Sequence, residues 1–339
     1  MSSKRVSPFA GVRYEHLVAG VSGGVASTLI LHPLDLLKIR FAVSDGAASA
    51  KPHYTGLTQA MGQIFRHEGI KGLYRGVTPN VWGAGSAWGF YFLFYNTIKS
   101  WLQGGNSKVH LGPGLHMVAA AEAGVLTLVM TNPIWVVKTR LCLQYTEGAG
   151  AGAAASATHY NGMVDALVKT YKHEGVRGLY KGFVPGVFGV SHGALQFMAY
   201  EEMKAQYNRY RSLPIDSKLT MVEYLAFASL SKLFAAVTTY PYQVLRARMQ
   251  DQHAQYDNLR HCIKETWRLN HIVGFYRGLS PNLMRVVPAT AITFLVYEKT
   301  SEFLFQLRST EDPPATVTPA RDQPASPVHQ AEAGEQQDD

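Results

Sequence analysis

Three stretches of the chain carry no Asp, Glu, Lys or Arg: residues 16–34, 77–98 and 182–200. Neutral, largely apolar runs of about 20 residues have the length of a helix that crosses a bilayer. Three further segments, 113–140, 219–248 and 282–306, stay apolar around interruptions at Glu122, Lys232 and Arg285. The pattern predicts six spanning helices, with those charges facing the bundle interior or an aqueous cavity, where membrane-embedded charges normally sit. Between the members of each pair of spans, polar segments at 56–67, 162–173 and 258–269 predict short surface helices.

The spans are copies of one another. Pro33-Leu34-Asp35-Leu36-Leu37-Lys38-Ile39-Arg40 returns as Pro133-Ile134-Trp135-Val136-Val137-Lys138-Thr139-Arg140. It returns again as Pro241-Tyr242-Gln243-Val244-Leu245-Arg246-Ala247-Arg248. Each copy keeps a proline and basic residues five and seven positions after it, while the acid at the third position survives only as Asp35. Each octet is followed by an aromatic-basic-Gly ending: Tyr74-Arg75-Gly76, Tyr180-Lys181-Gly182 and Tyr276-Arg277-Gly278. Glu68-Gly69 and Glu174-Gly175 precede the first two endings, and Asn270-His271 replaces them in the third. Proline lacks the N–H that a helix interior needs, so Pro33, Pro133 and Pro241 predict three equivalent bends. Small residues four apart (Gly20 and Gly24, Ala120 and Gly124) predict close helix contacts, and Lys232 takes the place of Gly24 and Gly124 in the third copy. The organisation is three repeats, 14–104, 111–208 and 219–308, followed by a disordered acidic, Pro-rich tail at 309–339.

Charge sharpens this picture. The chain carries a formal +8, yet the tail holds seven acids against Arg321, a net −6, which leaves the remainder at +14. So basic a body expects an anionic ligand or anionic lipid. The long apolar runs oppose a soluble nucleic-acid-binding domain. Two cysteines, Cys142 and Cys262, have no metal-ligand spacing, and no secretory leader precedes the first span. Phosphate-loop and nucleophile–base motifs are missing, so an enzyme, a metal or a bound cofactor is not expected. The residue run Glu147–Thr158 reads as a flexible Gly/Ala loop. The loop after span 1 is rich in Lys and Arg, so by the positive-inside rule that face, the short helices included, would be the energised or matrix side, with both termini opposite.

The tripled proline motif with its aromatic-basic-Gly ending, over residues 14–308, resembles the mitochondrial carrier family. The resemblance implies an all-α membrane protein with six transmembrane helices in three pseudo-threefold repeats and short matrix-side amphipathic helices. It implies a monomer in the mitochondrial inner membrane, moving a small solute by alternating access between two ion-pair gates. The matrix gate would comprise Asp35, Lys38, Lys138, Gln243 and Arg246, with Asp35 opposite Arg246, Gln243 opposite Lys138 and Trp135 opposite Lys38. That leaves Lys38 and Lys138 without carboxylates. The cytosolic gate would comprise Lys99, Glu201, Lys204 and Glu298. Cardiolipin would bind at the helix starts marked by Gly56, Gly76, Gly162, Gly182 and Gly278, where exposed N–H groups favour phosphate. Asn258, in place of glycine, weakens the third such site.

Trp135 replaces a carboxylate on the cavity-facing ring, where an indole can stack on a flat heterocycle. Pro133-Ile134-Trp135 resembles the family branch that carries folate, FAD, NAD and pyrimidine nucleotides. The stretches Gly85–Phe92, Ser191–Glu201 and Tyr240–Val244 resemble its folate/FAD members most. Arg285 is expected to bind the substrate's anionic group, together with Lys138 and Lys38. Gly83 and Ala84, like Phe188 and Gly189, would leave room for a ring. Helix periodicity turns Lys232 toward the cavity and Glu122 away from it, to hydrogen-bond a neighbouring helix. Gln196 is a better substrate contact than His192 on the same face, which reads as structural. A membrane scaffold without transport remains the alternative of a different class.

Overall fold

The structure, a computed structural model, describes residues 14–44, 52, 54–104, 112–145, 159–212, 214, 217, 219–253 and 256–311. The run 147–158 and residues 312–339 of the tail lie outside them. Among the described residues every element is a helix: α1 Tyr14–Ala42, α2 Leu57–Leu73, α3 Val77–Leu102, α4 Pro113–Cys142, α5 Met163–Leu179, α6 Phe183–Phe188, α7 Val190–Tyr210, α8 Met221–Thr238, α9 Tyr240–Gln250, α10 Leu259–Gly274 and α11 Leu279–Glu311. Six long rods result: α1, α3, α4, the α6–α7 pair, the α8–α9 pair and α11. The short α2, α5 and α10 link them in pairs. Six traverses bring Tyr14 and Glu311 back to one end of the bundle.

By length and apolarity, Val18–Ala42, Gly114–Cys142, Met221–Thr238 and Leu279–Leu304 qualify to cross a membrane. These include the three spans that charges interrupt. The neutral run in α3 is less apolar, because Trp, Tyr, Gly, Ser and Asn lower its hydropathy without adding charge; the neutral run 182–200 is split by the break at Gly189, so α7 also includes Glu201, Glu202 and Lys204. The outward faces are apolar all the same, with Trp82, Trp88, Phe92, Phe188 and Phe197 each more than half exposed. Lipid is the solvent that accounts for such a surface.

The three prolines do not bend their helices alike. α1 and α4 run unbroken through Pro33 and Pro133, whereas Thr239 separates α8 from α9 immediately before Tyr240-Pro241. In α4 the carbonyl orphaned by Pro133 is that of Val129, and the Tyr180 hydroxyl donates to it at 3.1 Å. A second break lies beside the first. α6 ends at Phe188, α7 begins at Val190, and a Cβ at Gly189 would stand 3.0 Å from the Tyr242 ring.

Close approach also falls one residue from its expected place. Gly20 and Gly24 face open space; at Gly23 a Cβ would stand 2.7 Å from the Thr293 carbonyl oxygen, and Ser27 donates to Ala289 O on the same α1–α11 seam. Gly124 does pack as expected: a Cβ there would stand 3.1 Å from the Val190 side chain. The exposed Glu122 makes no hydrogen bond among the described residues, contrary to the expected helix contact.

Successive repeats interlock at the proline end. Gly76, Gly182 and Gly278 have φ of 80°, 74° and 84°, a region open to glycine at no steric cost. Their Cα faces press on the carbonyls of Lys138, Arg246 and Lys38, at 3.0, 3.0 and 2.6 Å from where a Cβ would stand. Each contact runs from one repeat to the next, and the third returns to the first. Arg75 reaches Gln144 O and Arg277 reaches Ser44 O in the same sense.

Candidate functional site

The base five residues after each proline lies at one level of the bundle. There Lys38, Lys138 and Arg246 surround a cavity of about 300 Å³, lined also by Trp135, Tyr242, Gln243, His192, Lys232 and Arg285. Five of those side chains are cations, and Asp35, just outside the lining, is paired with two of them, Lys138 and Arg285. Asp35 is 6% exposed and is held by Lys138 Nζ at 3.1 Å, Arg285 Nε at 3.2 Å and Asn80 Nδ2 at 3.2 Å.

This pairing runs the other way round the ring from the one the resemblance implied. Asp35 joins Lys138 and Arg285, not Arg246; Gln243 accepts from Lys38 at 2.7 Å, not from Lys138; Lys138, not Lys38, lies 5.3 Å over the Trp135 ring. The geometry supplies the reason. Asn80 sits on α3, which packs along α4, and its amide draws the Asp35 carboxylate toward α4. Lys138 is therefore carboxylate-paired after all, and Lys38 is matched only by a neutral amide. Arg246 donates to Asn132 Oδ1 at 3.3 Å and has no carboxylate partner among the described residues.

Other expected site residues divide. Lys232 and Trp135 line the cavity; Gln196 does not, and His192 does. Gly83 leaves room, but Trp135 itself fills it: a Cβ there would stand 3.4 Å from the indole and 3.1 Å from Ile134. Neither Gly83 nor Ala84 lines the cavity. The indole N–H donates to Thr131 Oγ1 at 3.2 Å, which fixes the plane of the ring.

At the other end of the bundle, Lys99, Glu201, Lys204 and Glu298 form no ion pair with one another among the described residues. The two ends thus differ: charged and amide side chains link several rods around the cavity at the proline end, whereas among the described residues the far end carries one charged link between rods, Arg211 on Glu223 at 3.0 Å where α7 hands over to α8.

Sequence reasoning missed what the second base of each octet does. Arg40 forms a two-pronged pair with Glu68, at 2.6 and 2.9 Å, with both side chains all but fully buried. Arg140 pairs likewise with Glu174, which Lys181 also holds at 2.7 Å. Burial raises the Glu174 pKa, but hydrogen bonds from Arg140 and Lys181 outweigh it and hold the carboxyl down at about 2. The signal was the joint recurrence of the second base and Glu-Gly in repeats 1 and 2. In repeat 3 Asn270 stands where the acid was, and Arg248 turns to Thr266 and Ala42 O. His271 then takes φ of 46° where Gly69 and Gly175 have 65°. The residue before each proline was also overlooked. His32, Asn132 and Tyr240 hydrogen-bond the carbonyls of Arg75, Leu179 and Arg277, tying each odd rod to the end of its own surface helix.

At the surface-helix starts Gly56 and Gly162 offer no side-chain cap, whereas Asn258 accepts from His261 N at 2.9 Å. One N–H of the third start is thereby already satisfied.

Three tandem matches to the family described as Mitochondrial carrier protein cover residues 12–106, 109–211 and 217–308. The chain belongs to the mitochondrial carrier family. The carrier is 42% identical over 313 residues to "Folate transporter 1, chloroplastic" of Arabidopsis thaliana, covering 89% of this chain and 99% of that one. It is 38% identical to "Nicotinamide adenine dinucleotide transporter 1, chloroplastic" of the same plant, covering 84% of the carrier and 90% of the relative. It is 36% identical to "Mitochondrial FAD carrier protein FLX1" of Saccharomyces cerevisiae, covering 84% and 95%. As a member of this family of transporters, the carrier is a multi-pass membrane protein.

Proposed function

We propose that the carrier moves folate or FAD across the mitochondrial inner membrane by alternating access. The observation that carries this reading is the cavity: five cations line it, two of them tied to the nearby Asp35, with an indole fixed in the wall. Such walls suit a substrate that joins an anionic tail to a flat ring, and the named substrates of two relatives, folate and FAD, have that chemistry. The proline end is assigned to the matrix and both termini to the intermembrane space. The conformation described is then the one with the matrix gate shut and the cytosolic gate, Lys99, Glu201, Lys204 and Glu298, parted. Cardiolipin is assigned to the starts of α2 and α5, where glycine leaves N–H groups uncapped.

Arg285 connects binding to gating. Its side chain is 34% exposed and its Nε lies 3.2 Å from Asp35, so a substrate anion that binds the guanidinium competes with Asp35. Asp35 then keeps Lys138 alone, and the link from α11 through α1 to α4 weakens. A gate made of one ion-paired carboxylate and one amide has few links to break in each cycle, and the substrate anion on Arg285 weakens the first of them.

Uptake of labelled folate and FAD into liposomes holding the purified carrier tests the reading. Saturable uptake of at least one is expected, abolished in Arg285→Ala and reduced in Trp135→Ala. Uptake of neither compound overturns the substrate, and unchanged uptake in both variants overturns the site. NAD belongs in the same assay, because a relative of nearly equal identity bears that name.

A further inference from the structure

The two helix breaks meet at one side chain. His192 lies in the first turn of α7, just beyond the break at Gly189, and its Nδ1 is 2.9 Å from Thr239 Oγ1. Thr239 is the lone residue between α8 and α9, and its hydroxyl is also 2.6 Å from the carbonyl of Ala235.

These distances fix the protons. A hydroxyl has one hydrogen, and a carbonyl oxygen can only accept. Thr239 therefore donates to Ala235, and the contact with His192 needs its hydrogen from the imidazole. Nδ1 carries that proton, which leaves Nε2 with a lone pair as the ring's acceptor. The ring lines the cavity alongside Lys38, Lys232, Arg246 and Arg285. Ammonium and guanidinium groups only donate, and the Asp35 carboxylate and Gln243 oxygen already receive bonds. Nε2 is a neutral acceptor in a chamber whose charged walls donate.

We propose that His192 is a specificity-determining residue whose Nε2 accepts a hydrogen bond from an N–H or NH₂ on the edge of the transported heterocycle. Thr239 is its positioning residue and holds the tautomer. The inference rests on the substrate class proposed above, and it adds which edge of the ring is read. A site that hydrogen-bonds a substrate group rejects the analogue lacking it, because the buried acceptor is then left unpaired. The lysine and arginine contacts read charge and cannot make this distinction.

The test compares two matched pairs in liposomes holding the full-length carrier: folate with 2-deaminofolate, and FAD with N3-methyl-FAD. The wild type is expected to favour the parent of a transported pair by about tenfold or more in KM. In His192→Ala the parent's KM rises to that of the analogue and the preference falls below about twofold. His192→Gln, which supplies an amide oxygen near the position of Nε2, retains part of the preference; Thr239→Val loses part of it at unchanged protein stability. Full preference in folded His192→Ala overturns the role of His192 while leaving the substrate class standing. Uptake of neither parent by the wild type overturns the substrate class and this inference with it.

Discussion

Glu68→Ala is the substitution whose effect the structure specifies best. The Arg40 side chain is 0% exposed and Glu68 1%, and two bonds of 2.6 and 2.9 Å join them. The remaining Arg40 partners are neutral: the carbonyls of Cys142 and Gln144, the Tyr54 hydroxyl, and the Tyr145 ring at 4.9 Å. Removing the carboxylate leaves a buried guanidinium with no counter-charge, a loss of about 3–5 kcal/mol. Glu174→Ala is the internal comparison. Its carboxylate makes similar bonds but is 27% exposed, so water can enter, and the loss falls to about 1–2 kcal/mol. At roughly 2–4 °C per kcal/mol, the apparent Tm falls by about 6–20 °C for Glu68→Ala and about 2–8 °C for Glu174→Ala. The buried thiols of Cys142 and Cys262 are built-in reporters, since a thiol-reactive dye labels them as detergent-purified protein unfolds. Arg40→Met combined with Glu68→Leu should recover most of the loss, because no charge is then stranded. A larger fall for Glu174→Ala than for Glu68→Ala would refute burial as the cause.

Two other predictions address the gate and the interlock. Gln243→Glu gives Lys38 a carboxylate 2.7 Å away, turning a neutral-acceptor bond into an ion pair across the closed gate; maximal uptake should slow about tenfold, equivalent to about 1.4 kcal/mol, and a faster rate contradicts the gate. Gly278→Ala puts a methyl 2.6 Å from Lys38 O at φ of 84°, so apparent Tm should fall by several degrees. Gly62→Ala, in open helical space, should raise it slightly.

How much of this could be read beforehand depended on the kind of question. Repetition and apolar runs identified the rods, the surface helices and the level at which Lys38, Lys138 and Arg246 meet. Helical periodicity also turned Lys232 inward, since a side chain's direction on its own helix follows from spacing alone. The partners were beyond reach, because they depend on how three rods rotate against one another. Asp35 turned toward α4 under the pull of Asn80, a residue in no motif. Gly83 read as space for a substrate because its neighbour Trp135 was counted separately, and one indole cannot be both guest and wall. Gly23 rather than Gly24 makes the α1–α11 contact, a single-residue rotation that a small-residue pattern cannot resolve. Identical prolines predicted identical bends; the difference at Thr239 arises from Tyr242 and Gly189 on the neighbouring rod.

The glycines at 76, 182 and 278 have a consequence for how such a molecule can be divided. Each presses on a backbone carbonyl supplied by the following repeat, and the circuit closes only after the third. A single repeat expressed alone would present one such glycine and one such carbonyl on different faces, with neither satisfied within itself. That is a heterologous, head-to-tail interface, which ends in a ring when the rotation closes. An isolated repeat of this kind is complete only as a cyclic trimer, and in the present chain the covalent loops perform the work that subunit association would otherwise do.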